Sequence, residues 1–157
     1  MDIFLHILHK MPDEPKFSGA EINLVLHATE DEGRVLHFVE EVLSVPADRF
    51  SSSHSKGHYK NRIMLLKAMM SCQEAGDLAL RIMSLLNSAD REELSRNLQE
   101  YSDEKGNLYL RLDKQKICQG KVSLSETDAI RVRFKPIKRY KPSGNIESYR
   151  GLLSSTE

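Results

Sequence analysis

Two short segments in the C-terminal half of this chain alternate strictly, and that alternation narrows the fold more than any other feature. In the first, Leu108, Leu110 and Leu112 interleave with Tyr109, Arg111 and Asp113. In the second, Ile130, Val132 and Phe134 interleave with Arg131, Arg133 and Lys135. Successive strand side chains point to opposite faces, so each segment predicts a strand with one apolar and one charged face. A third segment, Ala20–Ala28, sets Ile22, Leu24 and Leu26 against Glu21, Asn23, Val25 and His27. Strands of this kind belong in a sheet covered on one side and open to water on the other.

The rest of the chain supplies the cover. Thr29 and Glu32 are spaced as a capping box, which predicts a helix to about Leu43 with Val35, Leu36, Val39, Val42 and Leu43 as its apolar stripe. Ser71 and Glu74 repeat the spacing ahead of a helix to about Leu86, carrying Leu78, Ile82, Leu85 and Leu86. Ser88 is placed to cap a third helix running to about Glu100. Between the first two helices, Arg49–Ser55 reads as a short strand leading into a polar loop, Ser52–Asn61. Ile63–Met70 is an apolar run short enough for a buried strand. Asp103–Asn107 reads as a turn, and a short helix is expected near Ile146–Leu153. The order is strand, helix, two strands, two helices, two or more strands. That predicts an α+β fold, a single mixed or antiparallel sheet with helices packed on one face.

The chain has 157 residues, which fits one domain. Residues 20–136 are its expected extent. Residues 1–19 form a lead-in interrupted by Met11-Pro12-Asp13-Glu14-Pro15, and residues 137–157 form a basic tail. No apolar run approaches the roughly 20 residues of a membrane span. The first residues lack the order of a signal peptide, and Cys72 and Cys118 form no disulfide framework. A reducing cytoplasm is the expected location.

Net charge is zero, but it is unevenly distributed. Residues 1–104 carry 11 Lys/Arg against 18 Asp/Glu; residues 105–150 carry 12 against 4. A basic third joined to an acidic two-thirds points to an anionic partner for the basic part, or to neutralisation of one part by the other within the fold.

If the two C-terminal strands are close, Tyr109, Arg111, Arg131, Arg133 and Lys135 make a basic platform with one aromatic ring. Arginine binds phosphates bidentately and stacks on bases, so this is a nucleic-acid footprint. Lys114, Lys116, Lys121, Lys138, Arg139 and Lys141 extend it. The competing reading is an ordinary solvated sheet face. A second contact point is the loop holding Lys56, His58, Lys60 and Arg62 around Gly57, where cations and backbone donors suit a phosphate. His54 and His58 lie four apart, but a loop and the lack of a third ligand argue against a metal. There is no phosphate-binding loop, nucleophile elbow, zinc spacing or dinucleotide fingerprint, so no enzyme and no cofactor are predicted. A hydrolase or nuclease would need a convergence such as His58 with Asp113.

Three stretches together resemble one family. They are His27-Ala28-Thr29-Glu30-Asp31-Glu32 with Arg34-Val35-Leu36; Gly57-His58-Tyr59-Lys60-Asn61-Arg62-Ile63; and Gly106–Gln115 followed by Asp128-Ala129-Ile130-Arg131-Val132-Arg133. In order and spacing they resemble an archaeal RNA-binding family whose members are also described as predicted exosome subunits. The resemblance covers about residues 20–136. It implies an α+β fold like that of the large-subunit ribosomal protein that binds 5S rRNA, a cytoplasmic protein, no enzymatic activity and a role in RNA processing or ribosome-related work. Its implied partners are RNA and proteins of RNA-processing complexes. The family's loop reads closer to Gly-His-Tyr-Gly-Asn-Pro-Ile. Lys60 and Arg62 replace a Gly and a Pro here, which alters the turn and adds two positive charges. The alternative is a non-catalytic protein-interaction subunit using acidic and basic surfaces, with a homodimer through an edge strand as one form of it.

Overall fold

The structure is a computed structural model and describes residues 17–56, 62–137 and 142–156. Five strands form one antiparallel sheet: β1 (Phe17–His27), β2 (Ser51–Lys56), β3 (Arg62–Met70), β4 (Leu108–Asp113) and β5 (Ala129–Pro136), in the spatial order β2-β3-β1-β5-β4. The helices are α1 (Glu32–Leu43), α2 (Cys72–Leu85), α3 (Ser88–Arg96), the single turn α4 (Lys114–Ile117) and α5 (Pro142–Ser155). This is the expected α+β arrangement of helices on one open sheet.

The alternation sets the two faces. Ile22, Leu24 and Leu26 on β1, Leu108, Leu110 and Leu112 on β4, and Ile130, Val132 and Phe134 on β5 are all buried. The α1 stripe and Ala75, Leu78, Ala79, Ile82 and Met83 of α2 close over them. Lying between β3 and β5, β1 is the centre of the sheet.

Several local readings shift. The α1 N-cap is Asp31, whose carboxylate accepts from the Arg34 amide, not Thr29. Glu30 turns back to accept from the His27 amide instead. Asn87, one residue before Ser88, caps α3 by accepting from the Asp90 amide, and α3 ends at Arg96. The box at Ser71 and Glu74 forms as spaced. Half of the expected polar loop is strand β2, paired along its length with β3. The β3 run is not buried on both sides: Leu66, Ala68 and Met70 face the core, whereas Leu65, Lys67 and Met69 face outward. Phe17–Gly19 are strand, not lead-in. The C-terminal segment is integral to the packing, since Tyr149, Leu152 and Leu153 of α5 are buried and the Tyr149 ring stacks on Phe17 at 6.0 Å. Tyr149 donates its hydroxyl to the Gly106 carbonyl at 2.6 Å.

Candidate nucleic-acid interface

The strand register places the charged side chains of the open face in rows. Ser51 pairs with Lys67, Lys67 with Asn23, Asn23 with Arg131 and Arg131 with Arg111. One polar row therefore crosses all five strands and ends in two arginines, over roughly 19 Å at ordinary strand spacing. The next row runs Met69, Glu21, Arg133, Tyr109. Among the described residues no helix covers this face, and Lys67, Tyr109, Arg111 and Arg131 are exposed on it.

Charges in the second row are largely paired. Glu21, though buried among its neighbours, takes the Lys67 ammonium at 2.5 Å on one oxygen and the Arg133 guanidinium on the other. The hydrogen bond from Lys67 holds the Glu21 carboxyl below its usual range, against the opposing effect of burial and with further help from Arg133. Tyr109 directs its hydroxyl to Asp103 at 3.0 Å and leaves its ring partly exposed. Arg111 and Arg131 differ. They face each other directly across β4 and β5, and neither joins an ion pair among the described residues. Like charges directly opposite in a sheet are destabilising, so this pair works against the fold and is available to an anion.

Not every expected residue joins this surface. Lys114 is the clearest correction. It is 1% exposed, with its ammonium bound to the Val25 carbonyl at 2.7 Å, Glu30 at 2.8 Å and Asp128 at 2.9 Å. The cause is local: Asp113 ends β4 by capping α4, and that turn folds Lys114 inward. His27, Glu30 and Asp128 also have the spacing of a metal-ligand triad, but the Lys114 ammonium binds Glu30 and Asp128 of that set. Lys116 is exposed beside a small cleft with Leu85, Asn87 and Lys121, apart from the arginine row. Lys135 is half-buried opposite Gly19 at the Pro136 end of β5. Arg62 opens β3 and is exposed, and Lys56 closes β2. His58, Lys60, Lys138 and Arg139 lie outside the described residues.

Sequence reasoning placed Glu21 on the outward face of β1 without joining it to the arginines, and it missed Lys67. The alternation within β3 carried the signal for Lys67, but its dense apolar composition hid it. It also missed a groove of about 850 Å³ lined by Asn23, Arg111, Arg131, Tyr109 and Tyr101 and by Asp90 and Glu93 of α3.

Comparison with known proteins agrees with this architecture. A family model described as RNA binding matches residues 20–136. The chain is 33% identical over 120 residues to the RNA-binding protein PAB1135 of Pyrococcus abyssi, covering 73% of this chain and 78% of that one. Protein AF2318 of Archaeoglobus fulgidus is similar in structure, with a TM-score of 0.73, 29% identity and coverage of 87% of this chain and 99% of its own. Mth689 of Methanothermobacter thermautotrophicus, a DUF54 protein, gives a TM-score of 0.72 at 25% identity, over 88% of this chain and 98% of its own.

Proposed function

The chain belongs to the RNA-binding family whose model spans residues 20–136, and from that premise we propose that it binds RNA through the open face of its sheet. The observation that carries this reading is the Arg111–Arg131 pair: two exposed guanidinium groups held opposite each other, with no ion-pair partner and no covering helix among the described residues. Lys67 and Asn23 continue the row, and the exposed Tyr109 ring adds a stacking surface. Arg62, with the loop that precedes it, is a second phosphate contact.

Affinity from such a surface comes mainly from phosphates, so it falls with salt and discriminates little by sequence. The protein acts by binding rather than by catalysis. Its work in RNA processing or beside the ribosome is supported by the family resemblance, and so is association with the exosome.

The test is fluorescence anisotropy with labelled single-stranded RNA and an RNA hairpin at two salt concentrations, comparing the wild type with Arg111→Ala/Arg131→Ala. Micromolar or tighter binding is expected. The double variant should bind more weakly, with a salt slope shallower by about 0.7 for each lost single-strand phosphate contact. Equal affinity and slope in both proteins would remove this face from the reading.

A second reading has its own observation. At the β1–β3 end of the same face, Met69 is 52% and Leu65 39% exposed. That apolar strip suits a protein partner seated beside the RNA.

A further inference from the structure

The groove beside the arginine row carries both signs of charge. Arg111 and Arg131 line it from β4 and β5, whereas Glu93, Glu100 and Glu126 line it from α3 and from the segments bonded to the outer edge of β4 through Tyr101 and Ser125. A surface that only tracks a phosphate backbone has no use for the carboxylates, which would repel it. A ligand with an anionic part and a hydrogen-bond-donating part fits both sets of groups at once, and an unpaired nucleotide is such a ligand. The volume, about 850 Å³, is within the range of small-molecule pockets.

These carboxylates are free to act. Glu100 and Glu126 are exposed and make no side-chain hydrogen bond among the described residues, while one oxygen of Glu93 accepts from Asn97 at 2.9 Å. Burial first, then Glu93, Asp90, Glu100 and Glu126, raise the pKa of the Tyr101 hydroxyl. Nε of Arg133, another residue of the groove's lining, is buried without a hydrogen-bond partner among the described residues.

Building on the RNA-binding reading, we propose that this groove is a base-recognition subsite for single-stranded RNA. A phosphate sits on Arg111 and Arg131, the base stacks at Tyr109, and the groove's carboxylates accept hydrogen bonds from an exocyclic amine. Carboxylates accept from the N4 amine of cytosine. Uracil presents O4 at the same place, and the two acceptors repel. The subsite therefore prefers cytosine to uracil, although the arginine row alone does not distinguish them. A base-paired strand keeps its amines engaged and gains nothing from the groove.

The experiment is fluorescence anisotropy of the full chain with short labelled oligo(C) and oligo(U) of equal length at low salt. Wild type is compared with Glu100→Gln/Glu126→Gln, and with Tyr109→Ala. Glu100 and Glu126 are exposed, so the double variant should keep its fold, which a thermal melt verifies. The expected result is a preference for oligo(C) of roughly fivefold. It should collapse towards equality in the Gln variant, because an amide offers either a donor or an acceptor. Tyr109→Ala should weaken both oligomers. Equal, salt-dependent wild-type binding of the two oligomers would overturn the subsite and leave the RNA-binding face standing. A preference that survives the Gln variant would also overturn it. Failure to bind either oligomer would overturn the subsite and the RNA-binding reading together.

Discussion

Lys114 and the Arg111–Arg131 pair come from adjoining stretches of the same basic third of the chain, and the fold treats them in opposite ways. Lys114 is enclosed, with its three ammonium bonds all directed at the protein's own oxygens. Two arginines on the helical side are used similarly. Arg81 binds the carbonyls of Val42 and Glu41 at the end of α1, and Arg91 binds those of Met83 and Leu153 at the ends of α2 and α5. Cations at helix C-termini satisfy orphan carbonyls and oppose the dipole. Among the described residues, Arg111 and Arg131 have no such internal partner. Local sequence composition does not separate these groups; their surroundings in the fold do. The comparison predicts that one set, when changed, costs stability and the other costs binding.

The sharpest way to break that division is Lys114→Met. It strands Glu30 and leaves the Val25 carbonyl without its ammonium donor. Breaking a buried ion pair from one side costs roughly 3–5 kcal/mol. Urea denaturation should show a loss of that size, with RNA affinity of the folded fraction within about twofold of wild type. A stable Lys114→Met protein with weakened RNA binding would put Lys114 on the binding side after all.

Tyr149→Phe tests whether α5 belongs to the enclosed set. The substitution keeps the ring against Phe17 but removes the donor to the Gly106 carbonyl. Gly106 holds a φ of +84°, and a Cβ there would collide with the Asn145 side chain. A loss of about 1 kcal/mol is expected in the same denaturation experiment. No loss would show that the Tyr149 hydroxyl adds nothing to the docking of α5.

The strands on which this division rests were legible because period-two alternation is set by the backbone and needs no tertiary knowledge. Leu108–Asp113 and Ala129–Lys135 therefore gave both the core face and most of the arginine row. Lys114 was not legible. Its position after a strand of exposed cations looks like a continuation of the patch, and only the α4 turn folds it inward. Tyr101 and the carboxylates of α3 were equally hidden: Tyr101 reaches the groove through the backbone bond from the Tyr109 amide to its carbonyl, and Asp90 and Glu93 reach it through the placement of α3. Helix starts were displaced by one or two residues for a simpler reason. Thr29 and Asp31, or Ser88 and Asn87, are all competent caps, and the chain uses the one whose oxygen meets the free amide.

Glu21 stands between the two sets, buried on the open face and neutralising Lys67 and Arg133. Its carboxyl is held below the ordinary range, chiefly by the bond from Lys67. A depressed carboxyl stabilises the fold above its unfolded pKa, near 4.5, and loses that contribution as pH falls through the lower folded value. Wild type should therefore lose up to about 1 kcal/mol more than Glu21→Gln as the pH is taken down through and below 4.5. Parallel pH dependences in the two proteins would mean that the Glu21 pairings do not contribute to stability in solution.

The smallest effect discriminates best. Arg111 and Arg131 face each other across one strand pair, where like charges repel by a few tenths of a kcal/mol. Lys114, Arg81 and Arg91, which bond the protein's own oxygens, should lower stability when removed. Arg111→Ala should instead leave it unchanged or raise it by up to about 0.5 kcal/mol at low salt. Arg131→Ala should behave the same way, and the double variant should gain less than the sum, since the repulsion can be relieved only once. The gain should vanish at high ionic strength, because both side chains are exposed and screened. A double-mutant cycle in urea at two salt concentrations measures all three quantities. If either single variant instead loses more than about 1 kcal/mol, that arginine is part of the fold's own bonding, and the contrast with Lys114 disappears.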